Sequence, residues 1–279
     1  MLRLGAKAMS NLAKQSLHIT LSTRAMKHGP EGKIYRLWFD DVKNNRIDLK
    51  TFEQWHQGLK AANEDPNTVI TVISGRGKFY TAGSDLNGFR GLETDEQRTE
   101  LAKKVMYGPV SGLISEFIDH KKPIIALING PCIGIGVTTL PFCDSVITSE
   151  SAYFLTPFVR LGYTPEGCSS RLFAKTMGYA IASEFLVFGR KFSAAEAYNC
   201  HLVSQVLPEA NFQSQAEKIV QEYANLPPQT MMKNKNMIRG WDREELKKVN
   251  EEECRIEVDQ WIEPECKQGT TAFLNRKRQ

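Results

Sequence analysis

The stretch Pro123-Ile124-Ile125-Ala126-Leu127-Ile128-Asn129-Gly130-Pro131-Cys132-Ile133-Gly134-Ile135-Gly136 carries two signals in succession. Residues 123–128 are apolar without alternation, which fits a strand covered on both faces. The run passes straight into a loop holding Gly130, Gly134 and Gly136. Such a loop bares backbone N–H groups, and a helix opening from it adds unpaired donors and a partial positive charge.

The same arrangement occurs upstream. Val69-Ile-Thr-Val-Ile-Ser74 is a second, almost wholly apolar run, and a glycine-rich loop follows it from Gly75 to Gly88. Ile34 to Phe39, Asp144 to Ser149 and Ala152 to Thr156 also read as strands. Helical patterns lie between them. Asp48 caps a helix to about Asn63 whose Leu49, Phe52, Trp55, Leu59 and Ala62 share one face, and Asp65-Pro66 stops it. Thr94-Asp-Glu-Gln97 is a capping box that opens a long helical stretch, broken near Gly108-Pro109. Ser193-Ala-Ala-Glu196 is a second box, and from Phe212 onward the periodicity is helical, interrupted by Pro227-Pro228 and Pro264. Buried strands alternating with helices predict a largely parallel, covered α/β sheet.

Composition excludes several classes of function. No apolar run reaches the roughly 18 residues needed to span a bilayer. Of 36 Lys and Arg, five (Arg3, Lys7, Lys14, Arg24 and Lys27) fall in residues 1–30, which contain no Asp or Glu; the remainder carries 31 basic against 32 acidic residues. A near-neutral body offers no electrostatic footprint for nucleic acid. The six cysteines form no CxxC pair and the five histidines no HExxH, so neither a disulfide framework nor a metal site is expected.

Wound as a helix, residues 2–19 place Arg3, Lys7 and Lys14 on one face and Met9, Leu12 and Ile19 roughly opposite. A basic, amphipathic, acid-free leader is the composition of a mitochondrial transit peptide, with Ser-Thr-Arg-Ala-Met at 22–26 as a processing region. The expected location is the mitochondrial matrix. The alternative is the peroxisome, although the C-terminal Asn-Arg-Lys-Arg-Gln differs from Ser-Lys-Leu.

Phe79-Tyr-Thr-Ala-Gly-Ser-Asp-Leu86, Asn129 to Gly136 followed by Asp144, and Phe192-Ser-Ala-Ala-Glu-Ala197 with Leu202-Val203 stand in this order along the chain. Together they resemble the motifs of the crotonase (enoyl-CoA hydratase/isomerase) superfamily, over about Lys33 to Arg276. The resemblance implies a spiral of ββα units followed by C-terminal helices that mediate trimer formation. Together with the leader read from composition at 1–30, it divides the chain into a spiral core at 31–210 and a helical region at 211–279. It also implies a fatty acyl-CoA thioester as ligand, with coenzyme A arriving as part of the substrate and no separate cofactor, and a homotrimer or hexamer as the assembly.

By the same resemblance, the backbone N–H groups of Ser84 and Ile135 form an oxyanion hole, and Ala82, Gly83, Asp85, Leu86, Gly134 and Lys43 contribute to substrate and CoA binding. The two glutamates of the family's hydratases are missing: Thr138 stands at one position and Pro157-Phe158 at the other. Leu161-Gly-Tyr-Thr-Pro-Glu-Gly-Cys-Ser-Ser170 instead resembles the segment of peroxisomal-type 3-enoyl-CoA to 2-enoyl-CoA isomerases that carries their catalytic glutamate, here Glu166. Phe154, Phe158, Leu161 and Tyr163 are candidates for an apolar pocket that raises its pKa. The competing readings are a hydratase, a thioesterase, or a non-catalytic acyl-CoA-binding scaffold. Two departures stand out. Asp40-Asp-Val-Lys-Asn-Asn-Arg46 is more acidic than the family's segment there, and His201 replaces its usual glycine.

Overall fold

In the computed structural model, which describes residues 25–41 and 43–276, the apolar runs form the centre of a six-stranded sheet. Its strands are β1 (Met26–Glu31), β2 (Ile34–Phe39), β3 (Ile70–Gly75), β4 (Ile124–Ile128), β6 (Ser145–Ser149) and β9 (Gln205–Leu207), in the order β1-β2-β3-β4-β6-β9. All neighbours are parallel except the β1–β2 pair. A smaller sheet joins β5 (Cys132–Ile133), β7 (Tyr153–Leu155) and β8 (Phe192–Ser193).

The helices are α1 (Leu49–Glu64), α2 (Asp95–Val105), α3 (Ser111–Asp119), α4 (Ile135–Thr138), α5 (Phe158–Leu161), α6 (Ser169–Leu186) and α7 (Ala194–Asn199), then α8 (Phe212–Ala224), α9 (Pro228–Arg239), α10 (Arg243–Gln260) and α11 (Pro264–Arg276). Asp48 caps α1 through the Thr51 N–H, and both capping boxes form, at Thr94–Gln97 and Ser193–Glu196. The expected break near Gly108-Pro109 is a π-helical turn, Met106–Val110.

The unbroken apolar runs have a simple cause. Successive strand residues point to opposite faces, and both faces are covered. Ile70, Val72, Ile125, Leu127 and Ile147 pack against Phe212, Ala216 and Val220 of α8. Ile73, Ala126 and Ile128 turn the other way, into a larger core with Trp55, Leu59 and Phe117. Trp55 links that core edge-to-face with Phe39 and Phe117, at centroid separations of 4.9 and 5.6 Å.

The chain winds as a spiral. Each turn gives a long strand to the large sheet, a short extended piece to a second layer, and then a helix. In the second layer Ile47 pairs with Ser84, Thr81 with Cys132, Cys132 with Phe154, and Phe154 with Phe192. This layer stacks the two glycine loops side by side.

One expectation needs correction. The folded body does not start at residue 31: β1 occupies Met26–Glu31, with Met26 buried against the core. Strand β1 is an edge hairpin partner of β2, stabilised by pairing rather than by an apolar run, so no hydrophobic signal marks it. The remainder of the leader, residues 1–24, lies outside the described residues. His201 does adopt a left-handed conformation, φ 65°, in the turn where glycine was expected; this costs roughly 1 kcal/mol.

Candidate active site

The two glycine loops meet backbone to backbone. Ile133 donates to Thr81 O, and Thr81 in turn donates to Pro131 O. Gly83 has φ 75°, and a Cβ there would lie 2.9 Å from the Ile133 carbonyl oxygen, so only glycine allows this approach. The bridge to Ile47 uses Gly83 O and Asp85 N, which leaves the Ser84 N–H outside the ladder. Ile135 opens α4, where the first N–H groups of a helix have no internal acceptor. Ser84 is exposed on the loop surface, and the Ile135 side chain is wholly buried, anchoring its peptide.

Asn45 holds the first loop from beneath. It is buried with φ 54°, a conformation asparagine tolerates better than most residues. Its Nδ2 donates to the carbonyls of Arg76, Phe79 and Tyr80, at 2.9, 2.7 and 3.2 Å, and its Oδ1 accepts from Asp41 N. Asp85 caps the turn Leu86–Phe89 by accepting from Asn87, and lies 3.8 Å from Arg46.

These loops border a cavity of about 670 Å³. Ala82, Gly83, Ser84, Asp85, Leu86 and Gly134 line it, and Glu166 faces it from the loop between α5 and α6. The walls are mainly apolar, with Phe89, Met106, Phe158, Leu161, Tyr163 and Trp261 among them. Burial, then the nearby charges of Glu257 and Glu253, push the Glu166 carboxyl up to about 8. A carboxyl so poised takes and returns a proton near neutral pH.

One sequence assignment changes on inspection, that of Phe154. Of the two basic residues in segment 40–46, Lys43 is exposed and Arg46 lines the cavity together with Asn44. Phe154 is fully buried in the core, because alternation along β7 turns Tyr153 and Leu155 to the cavity and Phe154 away from it. Sequence reasoning also missed Glu257, Trp261 and Phe273, which reach the cavity from the C-terminal helices. The helical spacing of Glu253, Glu257 and Trp261 with Cys254 and Val258 was the available signal.

Thr138 is buried, and Gly167, next to Glu166, packs directly on it.

The profile of the family described as "Enoyl-CoA hydratase/isomerase" matches residues 30–279. Enoyl-CoA delta isomerase 2 of Homo sapiens is 40% identical over 235 residues, 84% of this chain and 59% of the human protein. The chain thus spans about three fifths of that relative's length. Enoyl-CoA delta isomerase 3, peroxisomal, of Mus musculus is 33% identical over 98% of this chain and 83% of its own. The crystal structure of an enoyl-CoA hydratase/isomerase from Pseudoalteromonas atlantica T6c superposes with a TM-score of 0.81 at 26% identity, covering 90% of this chain and 97% of that one. Spiral, loops and sequence agree: this chain belongs to the enoyl-CoA hydratase/isomerase, or crotonase, family.

Proposed function

We propose that the protein is an isomerase that converts 3-enoyl-CoA, cis or trans, to trans-2-enoyl-CoA in the oxidation of unsaturated fatty acids. One observation carries the reading: Glu166, with its raised pKa, shares an apolar cavity with the two glycine loops, while positions 138, 157 and 158 hold no carboxylate. The isomerase names and 33–40% identities of the relatives support it.

The thioester carbonyl oxygen sits between the N–H groups of Ser84 and Ile135. Glu166 removes a proton from C2, and the electron pair passes into a dienolate whose negative oxygen the two N–H groups stabilise. Each such donor contributes on the order of 3 kcal/mol in comparable oxyanion holes. The electrons return from oxygen, the C3=C4 bond shifts to C2=C3, and Glu166 delivers the same proton to C4. One base suffices, since the proton stays on one face of the substrate.

The assay is spectroscopic. An isomerase given 3-enoyl-CoA builds the absorbance of the conjugated 2-enoyl thioester, a hydratase given 2-enoyl-CoA removes it, and a binding protein does neither. Absence of the first signal, with acyl-CoA still bound, overturns the reading in favour of a scaffold. The leader composition supports the mitochondrial matrix, with the peroxisome as alternative. The exposed apolar side chains of Met237, Ile238 and Trp241 support a trimer or hexamer.

A further inference from the structure

The loop that carries Glu166 is gripped on both sides by one helix. Glu253 and Glu257 lie one turn apart on α10, and both side chains are buried. Glu253 accepts from Cys168 N at 2.6 Å, from Ser170 N at 3.0 Å and from Ser170 Oγ at 2.5 Å. Glu257 accepts from Thr164 Oγ1 at 3.1 Å and from Trp261 Nε1 at 3.0 Å. The bonds therefore bracket Glu166, two residues before it and two to four after. Holding the loop alone would be served by neutral acceptors, and a buried carboxylate costs far more than a buried amide. Two of them beside a third carboxyl need another explanation.

We propose that Glu253 and Glu257 are positioning residues for Glu166: they fix its loop, and their negative charge keeps its carboxyl a strong enough base to take the C2 proton. This rests on the function proposed above. The surrounding groups leave the role to these two. Of the other titratable neighbours, Tyr163 and Cys168 belong to the same loop and Cys254 to α10, and burial raises the pKa of each, keeping it neutral. Arg98 of α2 and Cys266 of α11 act on Tyr163. From α3 and α4 the uncharged Ile114 and Thr138 lie nearest the loop at Gly167. The charges that act on Glu166 are those of Glu257, the larger, and Glu253; burial raises each of these two carboxyls from 4.5 to about 7, so they carry that charge from neutral pH upward.

The test is Glu257→Gln in the full chain, since the glutamine Oε1 can still accept from Trp261 Nε1 and its Nε2 can donate to the Thr164 hydroxyl, while the charge is gone. Carboxyl titration by NMR on protein labelled with carbon-13 glutamate, with the Glu166 signal assigned by its loss in Glu166→Gln, reads the charge directly. We expect the Glu166 midpoint to fall by at least about half a pH unit on loss of a neighbouring charge. The acid limb of kcat/KM should move down with it, and plateau kcat should drop about threefold as the base weakens, with KM little changed. Should Glu257→Gln fail to fold, Glu253→Gln is expected to shift the midpoint in the same direction. An unmoved midpoint and acid limb, with activity lowered evenly across pH, would overturn the proposal and leave a structural prop. If the wild type lacks isomerase activity, the function falls instead, and the NMR midpoints still decide whether the carboxylates set the charge of Glu166.

Discussion

A Cβ on Gly167 would lie 2.7 Å from Oγ1 of Thr138. This contact seats the loop of the candidate base on the short helix α4, whose first residue, Ile135, is the candidate anion donor. The spacing between base and donor is thereby set by a glycine touching a threonine, at a position where the family's hydratases carry a glutamate.

Gly167→Ala should therefore damage catalysis without touching a catalytic group. Residue 167 has φ 70°, so alanine adds conformational strain of about 1 kcal/mol besides the collision. We expect kcat to fall at least about tenfold, since small misplacements of a reacting group are costly. Steady-state kinetics on 3-enoyl-CoA, with circular dichroism to confirm folding, checks this; wild-type kcat would show that the loop relaxes freely.

Glu166→Gln keeps the side-chain volume and removes the base. Isomerase turnover should drop at least about 10²-fold, the lower range for a general base. Acyl-CoA affinity, measured by calorimetry, should change little, as expected for a group used mainly in the transition state. Loss of binding together with turnover would instead assign Glu166 a structural role.

Stability should fall as pH rises through the neutral range. The Glu166 carboxyl is raised from 4.5 to about 8 by burial and its acidic neighbours. The folded state then holds a proton that the unfolded chain releases above pH 4.5, so this group favours folding less and less as pH climbs from there to about 8. Urea unfolding at intervals across that window should give a flatter profile for Glu166→Gln than for wild type. Equal slopes would show that Glu166 titrates normally.

Asp144 behaves oppositely. Burial works against its ionised form, but Lys235 and Arg239, at 2.9 and 2.7 Å, outweigh burial and hold its pKa below 3.8. Its stabilising effect is complete above the ordinary carboxylate range and is lost as pH falls through the depressed folded value. Asp144→Asn strands the buried Lys235 and should cost about 3 kcal/mol at pH 7. Urea unfolding should show that penalty shrinking toward pH 3. A penalty constant over the acid range would mean that the pair contributes nothing through its charge.

Asn45→Asp retains the left-handed backbone but removes the amide donors to three carbonyls. With residue 45 buried, a loss of roughly 2 kcal/mol is expected by thermal unfolding. Turnover should fall as well, because the same carbonyls frame the loop that presents Ser84.

The amino-acid sequence alone determined the central strands and the loops that follow them. Ile70 to Ile73 and Ile124 to Ile128 read as strands because both of their faces are dry, and a run with no polar alternation has few other uses in a chain of this length. Gly83 and Gly134 were legible because their loops resemble the family's motifs, and Glu166 because its flanking segment resembles that of known isomerases; the structure gives both glycines a positive φ. Tertiary structure decided the rest. Strands β1, β5, β8 and β9 carry little hydrophobic signal and exist because a neighbour pairs with them. Arg46 rather than Lys43 reaches the cavity because the chain around Asn45 is pinned to the loop carbonyls. Glu253 and Glu257 stand in an acidic stretch that reads as a wetted helix face, yet they are buried, because, Trp261 apart, the donors that satisfy them lie 83 to 93 residues away in sequence. Periodicity tells which side chains share a face; only the packed chain tells what covers it, and for these two carboxylates the cover is the loop of Glu166 itself.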